Sequence, residues 1–346
     1  MVGCERNVVG DETGWVDSLP VLASLPHSMS TAATAPPPIP SPKRRWKWVL
    51  RVLGVLALLT GLFAVAVYRE VYRSNGEVFS SGRKRSYLLH VPKTYQSNRP
   101  TALVICFHGF AEWPAHVMRL SHWNRLADES GFLVVYPFGS SFPLRWNCGG
   151  RFSNQEQAQQ DVRFISDLID QLKKAYNIDE ARVYANGLSN GGGMSFLLAS
   201  QLSERIAAIG SVGGAYTLPW TDCNPKRPVA AMIFHGTADP IVPYHGKSWG
   251  TSVFALPDIP QWVQTLAARN ECQTNSVPLP ASGSVSGVHY QGGTNHADVV
   301  FYTVAGGGHT WPGGKKMAAF IVGKTTADVD ATRLMWDFFQ EHPMGK

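Results

Sequence analysis

The sequence predicts an α/β domain, a mostly parallel sheet with helices on both faces, preceded by an N-terminal hydrophobic segment. Three observations predict it. Short continuous apolar runs (TALVICF, GFLVVYP, VAAMIFHG, VVFYTV) recur along the chain. Amphipathic stretches lie between them, and Val52 to Tyr68 contains no charged residue. A run of 346 residues, 44% hydrophobic and 16% charged, is long enough for one large α/β domain with something attached.

Residues 1–42 are rich in Ser, Pro, Ala and Thr and end in APPPIPSP without periodicity, which predicts a disordered tail. Residues 43–73 follow as a basic-flanked apolar segment. At about 1.5 Å per residue, Val52 to Tyr68 spans roughly 26 Å as a helix, close to a bilayer core. Lys43, Arg44, Arg45, Lys47 and Arg51 stand on one side, and Trp46, Trp48, Tyr68 and Tyr72 occupy belt positions. As a signal-anchor, this segment leaves the tail in the cytoplasm and exports everything after Arg69. A second reading is a signal peptide cleaved after Ala64-Val65-Ala66, for which Met29 as well as Met1 is a candidate start. Both readings place residues 74–346, the expected folded domain, in an extracytoplasmic compartment, secreted or anchored.

Within that domain RSYLLHV alternates as a half-buried strand, and TALVICF and GFLVVYP are buried strands on either side of the helix-like HWNRLADES. VRFISDLIDQLKKAY aligns Val162, Ile165, Leu168, Ile169 and Leu172 on one helical face. RVYAN is the next strand, followed by a helix from about Asn190 to Ser203. IAAIGSVG, VAAMIFHG and VVFYTV are three further buried strands, and ATRLMWDFFQEH closes the chain as an amphipathic helix. Buried strands alternating with helices give a parallel sheet covered on both faces.

The formal charge of +6 is partly the cluster at Lys43 to Arg51, so no basic groove for nucleic acid is expected. The five cysteines form no CxxC pair and have no histidines at zinc-ligand spacing, so no metal site is expected. Cys106 reads as a buried hydrophobe. Cys148, Cys223 and Cys272 lie in polar stretches, and in an exported domain any two of them are candidates for a bridge.

Reactive groups of such a sheet collect at the carboxyl ends of its strands. RVYAN runs into Gly187-Leu188-Ser189-Asn190-Gly191, a G-x-S-x-G between a predicted strand and a predicted helix. A serine on that turn is strained and lifted above the sheet, and glycines two positions either side relieve collisions with neighbouring backbone. A second copy, Gly246-Lys247-Ser248-Trp249-Gly250, follows the proline-bearing PIVPYH and precedes no helical face, so it reads as coincidence. Asp239 stands just past VAAMIFHG and His309 just past VVFYTV. The order Ser, Asp, His is that of an α/β-hydrolase triad, with Ser189 as nucleophile, His309 as base and Asp239 orienting it. The backbone N–H of Asn190 is one expected oxyanion donor. The other is that of Phe110, in the His108-Gly109-Phe110-Ala111 loop after TALVICF. The glycines of GLSNGGGM are not read as a phosphate cradle, because the segment lacks the lysine such a loop uses.

The chain resembles the secreted esterases that include poly(3-hydroxybutyrate) depolymerase-like proteins and feruloyl esterases. The likeness lies in DVRFISDLIDQLKKAYNIDEARVYANGLSNGGGM, FHGTADPIVPYHG and GGGHTWPGG and covers most of residues 77 to 342. It implies an α/β-hydrolase fold, no cofactor, and Ser189, Asp239 and His309 as the triad.

Trp146 and Trp311, with Phe142 nearby, either form an apolar wall for a phenolic or short acyl group or pack their own loops down. His108 is a further candidate substrate contact. The expected activity is ester hydrolysis through an acyl-enzyme, on feruloyl, aryl or short acyl esters or hydroxybutyrate oligomers, from a plant cell wall among other sources. No polymer-binding module is recognisable, which favours soluble oligomers or small esters. The alternatives are a serine peptidase of the same fold and a non-catalytic surface-binding protein.

Overall fold

The computed structural model describes residues 35, 42–149, 154–248 and 255–345. Most of the tail, with Met1, Met29 and Cys4, lies outside them. The chain divides into two units, Met1–Leu59 and Thr60–Lys346, and the second holds the sheet. Helix α1 runs Pro42–Val71, and its stretch Arg45–Val71 is long and apolar enough to cross a membrane.

The chain then forms β1 (Gly76–Ser80), β2 (Arg83–His90), β3 (Thr101–Phe107), α2 (Pro114–Ser121), α3 (Trp123–Ser130), β4 (Leu133–Pro137) and α4 (Gln155–Ala175). It continues through β5 (Ile178–Leu188), α5 (Asn190–Gln201), β6 (Ala208–Val212), β7 (Ala230–Gly236), β8 (His245–Ser248), β9 (Ala255–Asp258) and α6 (Ile259–Arg269). Last come β10 (Val277–Ser282), β11 (Val285–Tyr290), β12 (Val299–Val304), α7 (Ala319–Val322) and α8 (Ala331–Glu341).

Ten strands form one sheet in the order β1-β2-β4-β3-β5-β6-β7-β12-β11-β10. The centre, β4 through β12, is parallel. The edges are antiparallel: β2 against β4, β1 against β2, β11 against β12 and β10 against β11. The continuous apolar runs are the parallel strands because both of their faces are covered. Along β3, Leu103, Ile105 and Phe107 enter a core shared with α4, α5 and α6, whereas Ala102, Val104 and Cys106 enter one shared with α2, α3 and α8. Short β8 pairs only with β9, apart from the main sheet, which agrees with the reading of PIVPYH as unfit for a central strand.

Asn154 caps α4 by accepting the Gln157 N–H, and Asp330 caps α8 by accepting those of Thr332 and Arg333. Because the central strands are parallel, the loops after β3, β4, β5, β7 and β12 all open on one edge of the sheet.

Candidate active site

Ser189 sits between β5 and α5 with φ 57° and ψ −118°, a conformation costing about 1–3 kcal/mol for a residue with a side chain. The surrounding packing enforces it. A Cβ on Gly187 would lie 2.5 Å from the Gly191 carbonyl carbon, and one on Gly191 would lie 2.3 Å from the Phe107 oxygen. Ser189 donates its N–H to Val212 O (2.9 Å) and accepts at its own carbonyl from Gly193 N–H (3.1 Å) and Ala215 N–H (3.0 Å). No hydrogen bond of the Ser189 hydroxyl is present among the described residues.

The same Val212–Ala215 segment abuts the histidine. A Cβ on Gly213 would lie 3.0 Å from His309 Nδ1 and 3.4 Å from Asp239 Oδ2. His309 Nδ1 and Asp239 Oδ2 are 2.7 Å apart, and both side chains are buried. With the carboxylate accepting the Nδ1 proton, Nε2 carries the free lone pair. The other oxygen of Asp239 accepts the N–H groups of Ile241 and Val242, each at 2.8 Å, so the carboxylate is fixed from two sides. Behind it, His235 Nε2 lies 2.8 Å from Val242 O and 3.6 Å from Asp239 Oδ2, and burial lowers the His235 pKa.

A third group comes from the loop after β3. A Cβ on Gly109 would lie 3.5 Å from Ser189 Cβ. Gly109 O accepts from His108 Nδ1 (2.7 Å) and from Glu112 N–H (3.3 Å). In a trans peptide the next N–H points away from that carbonyl, so holding Gly109 O turns the Phe110 N–H outward. Neither the Phe110 N–H nor the Asn190 N–H meets an acceptor among the described residues.

His108 is fully buried and does not line a substrate surface as expected. Its Nε2 accepts the Gly139 N–H at 3.0 Å, so the ring is neutral with its proton on Nδ1, and burial lowers its pKa to about 4. It joins the loops after β3 and β4. Trp146 and Trp311 pack into the interior, the second of the two readings open for these rings, and are not part of a substrate wall. Trp146 packs edge-on against Phe107 and stacks over Phe164 in the core. Trp311 is fully buried and donates Nε1–H to Thr332 Oγ1 at 2.9 Å. Each ring has too much apolar surface to remain beside the cleft when an interior site is within reach. Phe142 alone of that group is exposed. The described cysteines, Cys106, Cys148, Cys223 and Cys272, are all free thiols, so none of the candidate bridges forms, and the Cys148 thiol instead packs against Asn190.

Two side-chain roles had no sequence signal. Glu112 Oε2 accepts the Gly109 N–H at 2.8 Å, and its Oε1 lies 3.3 Å from His116 Nδ1. Burial pushes the Glu112 carboxyl up, but His116 and the Gly109 N–H outweigh it and hold the group below the usual carboxylate range. The Asn190 side chain clamps the loop after β4, accepting from Trp146 N–H (2.7 Å) and donating to Trp146 O (3.0 Å). Both depend on loop geometry rather than on a pattern.

Residues 85–218 match the family model described as Esterase PHB depolymerase. The chain is 34% identical over 163 residues to a bifunctional acetylxylan esterase/xylanase of Neocallimastix patriciarum, a match covering 47% of this chain and 22% of that one. It is 28% identical over 260 residues to feruloyl esterase C of Emericella nidulans, covering 74% and 83%. Among solved structures, the acetyl xylan esterase from Aspergillus awamori superposes with a TM-score of 0.54 at 14% identity, over 77% of this chain and 98% of that one. The fold is therefore the α/β-hydrolase fold, and the resemblance read from the sequence stands.

Proposed function

We propose that this carboxylic ester hydrolase, a relative of the PHB depolymerase-like and feruloyl esterases, cleaves its ester through Ser189, His309 and Asp239 by way of an acyl-enzyme. What supports the reading is the strained turn at Ser189, together with the buried His309–Asp239 pair and the Phe110 and Asn190 N–H groups, which meet no acceptor among the described residues. His309 Nε2 takes the hydroxyl proton as Ser189 Oγ attacks the carbonyl carbon. The N–H groups of Phe110 and Asn190 hold the oxygen as it becomes negative. His309 then protonates the departing alcohol, and Asp239 stabilises the imidazolium between the two steps. Water, deprotonated by His309, releases the acid from Ser189. Feruloyl and acetyl esters are the substrates suggested by the relatives' names.

In the same proposal residues 1–42 are a tail, 43–73 a signal-anchor or leader, and 74–346 the catalytic domain outside the cytoplasm. The helix Arg45–Val71 supports the middle assignment by length and composition. N-terminal sequencing of the mature protein separates anchor from cleaved leader.

Hydrolysis of p-nitrophenyl butyrate by the full chain tests the chemistry. Ser189→Ala lowers turnover by several powers of ten and Ser248→Ala leaves it intact. Equal loss in both variants, or failure of a fluorophosphonate to label Ser189, refutes the assignment, and the latter leaves a binding protein.

A further inference from the structure

Eight large apolar side chains stand exposed outside α1 among the described residues; four of them lie in the connections after β3, β7 and β12, which carry proposed catalytic groups, and a fifth in the neighbouring connection after β4. These are Phe110 (55% exposed), Phe142 (89%), Ile241 (45%), Phe320 (91%) and Ile321 (57%). Burying such a side chain is worth about 1.5–3 kcal/mol, so leaving five exposed on one edge of the sheet forgoes a large stabilisation.

The sheet order places them. Ser189 ends β5. Phe110 and Phe142 follow β3 and β4, on one side of β5, whereas Ile241, Phe320 and Ile321 follow β7 and β12, on the other. Each is tied to the site by backbone. Phe110 adjoins Gly109, which abuts Ser189, and Ala111 N–H bonds Leu144 O (2.8 Å), bringing in the Phe142 loop. Ile241 N–H bonds Asp239 Oδ1, and His309 N–H bonds Val322 O (2.6 Å), seating α7 beside the histidine.

A substrate whose carbonyl lies over Ser189 therefore meets apolar surface with both of its halves. A sugar hydroxyl pressed on such a flank loses water and gains no partner, whereas an alkyl or aryl group gains about fourfold per buried methylene. The geometry points to an ester that is apolar on both sides of the scissile bond, an alkyl or aryl acid joined to an alkyl or aryl alcohol, rather than an ester of a sugar hydroxyl. This inference rests on Ser189 being the nucleophile and adds the substrate class.

The test compares the full chain with Phe142→Ser and with the double variant Phe320→Ser/Ile321→Ser. The substrates are hexyl acetate, an acetylated methyl xyloside and p-nitrophenyl acetate. Hexyl acetate is expected to exceed the xyloside at least tenfold in kcat/KM. That preference falls about tenfold in one or both variants, which still hydrolyse p-nitrophenyl acetate. A preference for the xyloside, or an apolar preference unmoved in both variants, overturns the inference while p-nitrophenyl acetate hydrolysis leaves the serine chemistry standing. Absence of p-nitrophenyl acetate hydrolysis in the unmodified chain removes both.

Discussion

Replacing His108 with glutamine isolates the proton balance of the loop that presents the Phe110 N–H. Glutamine can donate to Gly109 O and accept from Gly139 N–H as the neutral imidazole does, but it cannot be protonated. In the native chain the ring is fully buried and its acceptor nitrogen is occupied, so its pKa falls from 6.5 to about 4. A lowered histidine pKa means that the folded state refuses a proton the unfolded chain accepts. The stabilisation is complete above pH 6.5 and is lost as pH falls through about 4, and the whole gap is worth about 3 kcal/mol. Between pH 7 and pH 4.5 the His108 contribution is about 2 kcal/mol. Urea unfolding of the full chain and of His108→Gln at both pH values reads it directly. The native chain is expected to lose about 2 kcal/mol more than the variant over that interval, because all other titrating groups are common to both. Equal losses would refute the neutral, doubly bonded His108.

Glu112→Ala frees the Gly109 N–H and loosens the turn behind Phe110. It is expected to lower kcat on p-nitrophenyl butyrate about tenfold with KM nearly unchanged, and Glu112→Gln, which still accepts that N–H, restores most of it. Asp298 sits between His289, His342 and the Gly293 N–H. Burial pushes its carboxyl up, but His342, with Nε2 4.0 Å from Oδ2, and hydrogen bonds with the Gly293 N–H and His289 carry it down to about 2 from the usual 3.8. Its stabilisation is present above pH 3.8 and disappears as pH falls towards 2, so thermal unfolding of Asp298→Asn should vary less with pH over that interval than unfolding of the native chain.

Strands covered on both faces were legible because burial makes their whole length apolar. TALVICF is β3 residue for residue, and VVFYTV is β12. The long helix was legible from one face, though α4 begins at Gln155, earlier than its apolar stripe, because Asn154 caps a polar first turn. The span between β7 and β12 was not legible. VPLPAS and VSGVHY carry prolines and a glycine and face solvent on one side, and they become β10 and β11 only by pairing onto the edge of a finished sheet. The order of Ser189, Asp239 and His309 along the chain was readable because each follows a buried strand. The sequence left open whether Trp146 and Trp311 form an apolar wall or pack their loops down, and placed His108 as a substrate contact, because proximity in sequence does not say which way a side chain turns; all three are buried.

By itself, the sequence determined the alternation of buried strands and helices, the glycines about Ser189 and the placement of reactive residues after strand ends. These follow from local periodicity and from steric limits within a few residues. Tertiary structure alone decided that His108 is a buried neutral brace, that Glu112 and Asn190 hold the loops beside the serine, and that phenylalanines and isoleucines flank it on both sides. Those properties depend on which loops meet across the sheet, and that is set when distant strands pair and their side chains compete for the same interior volume.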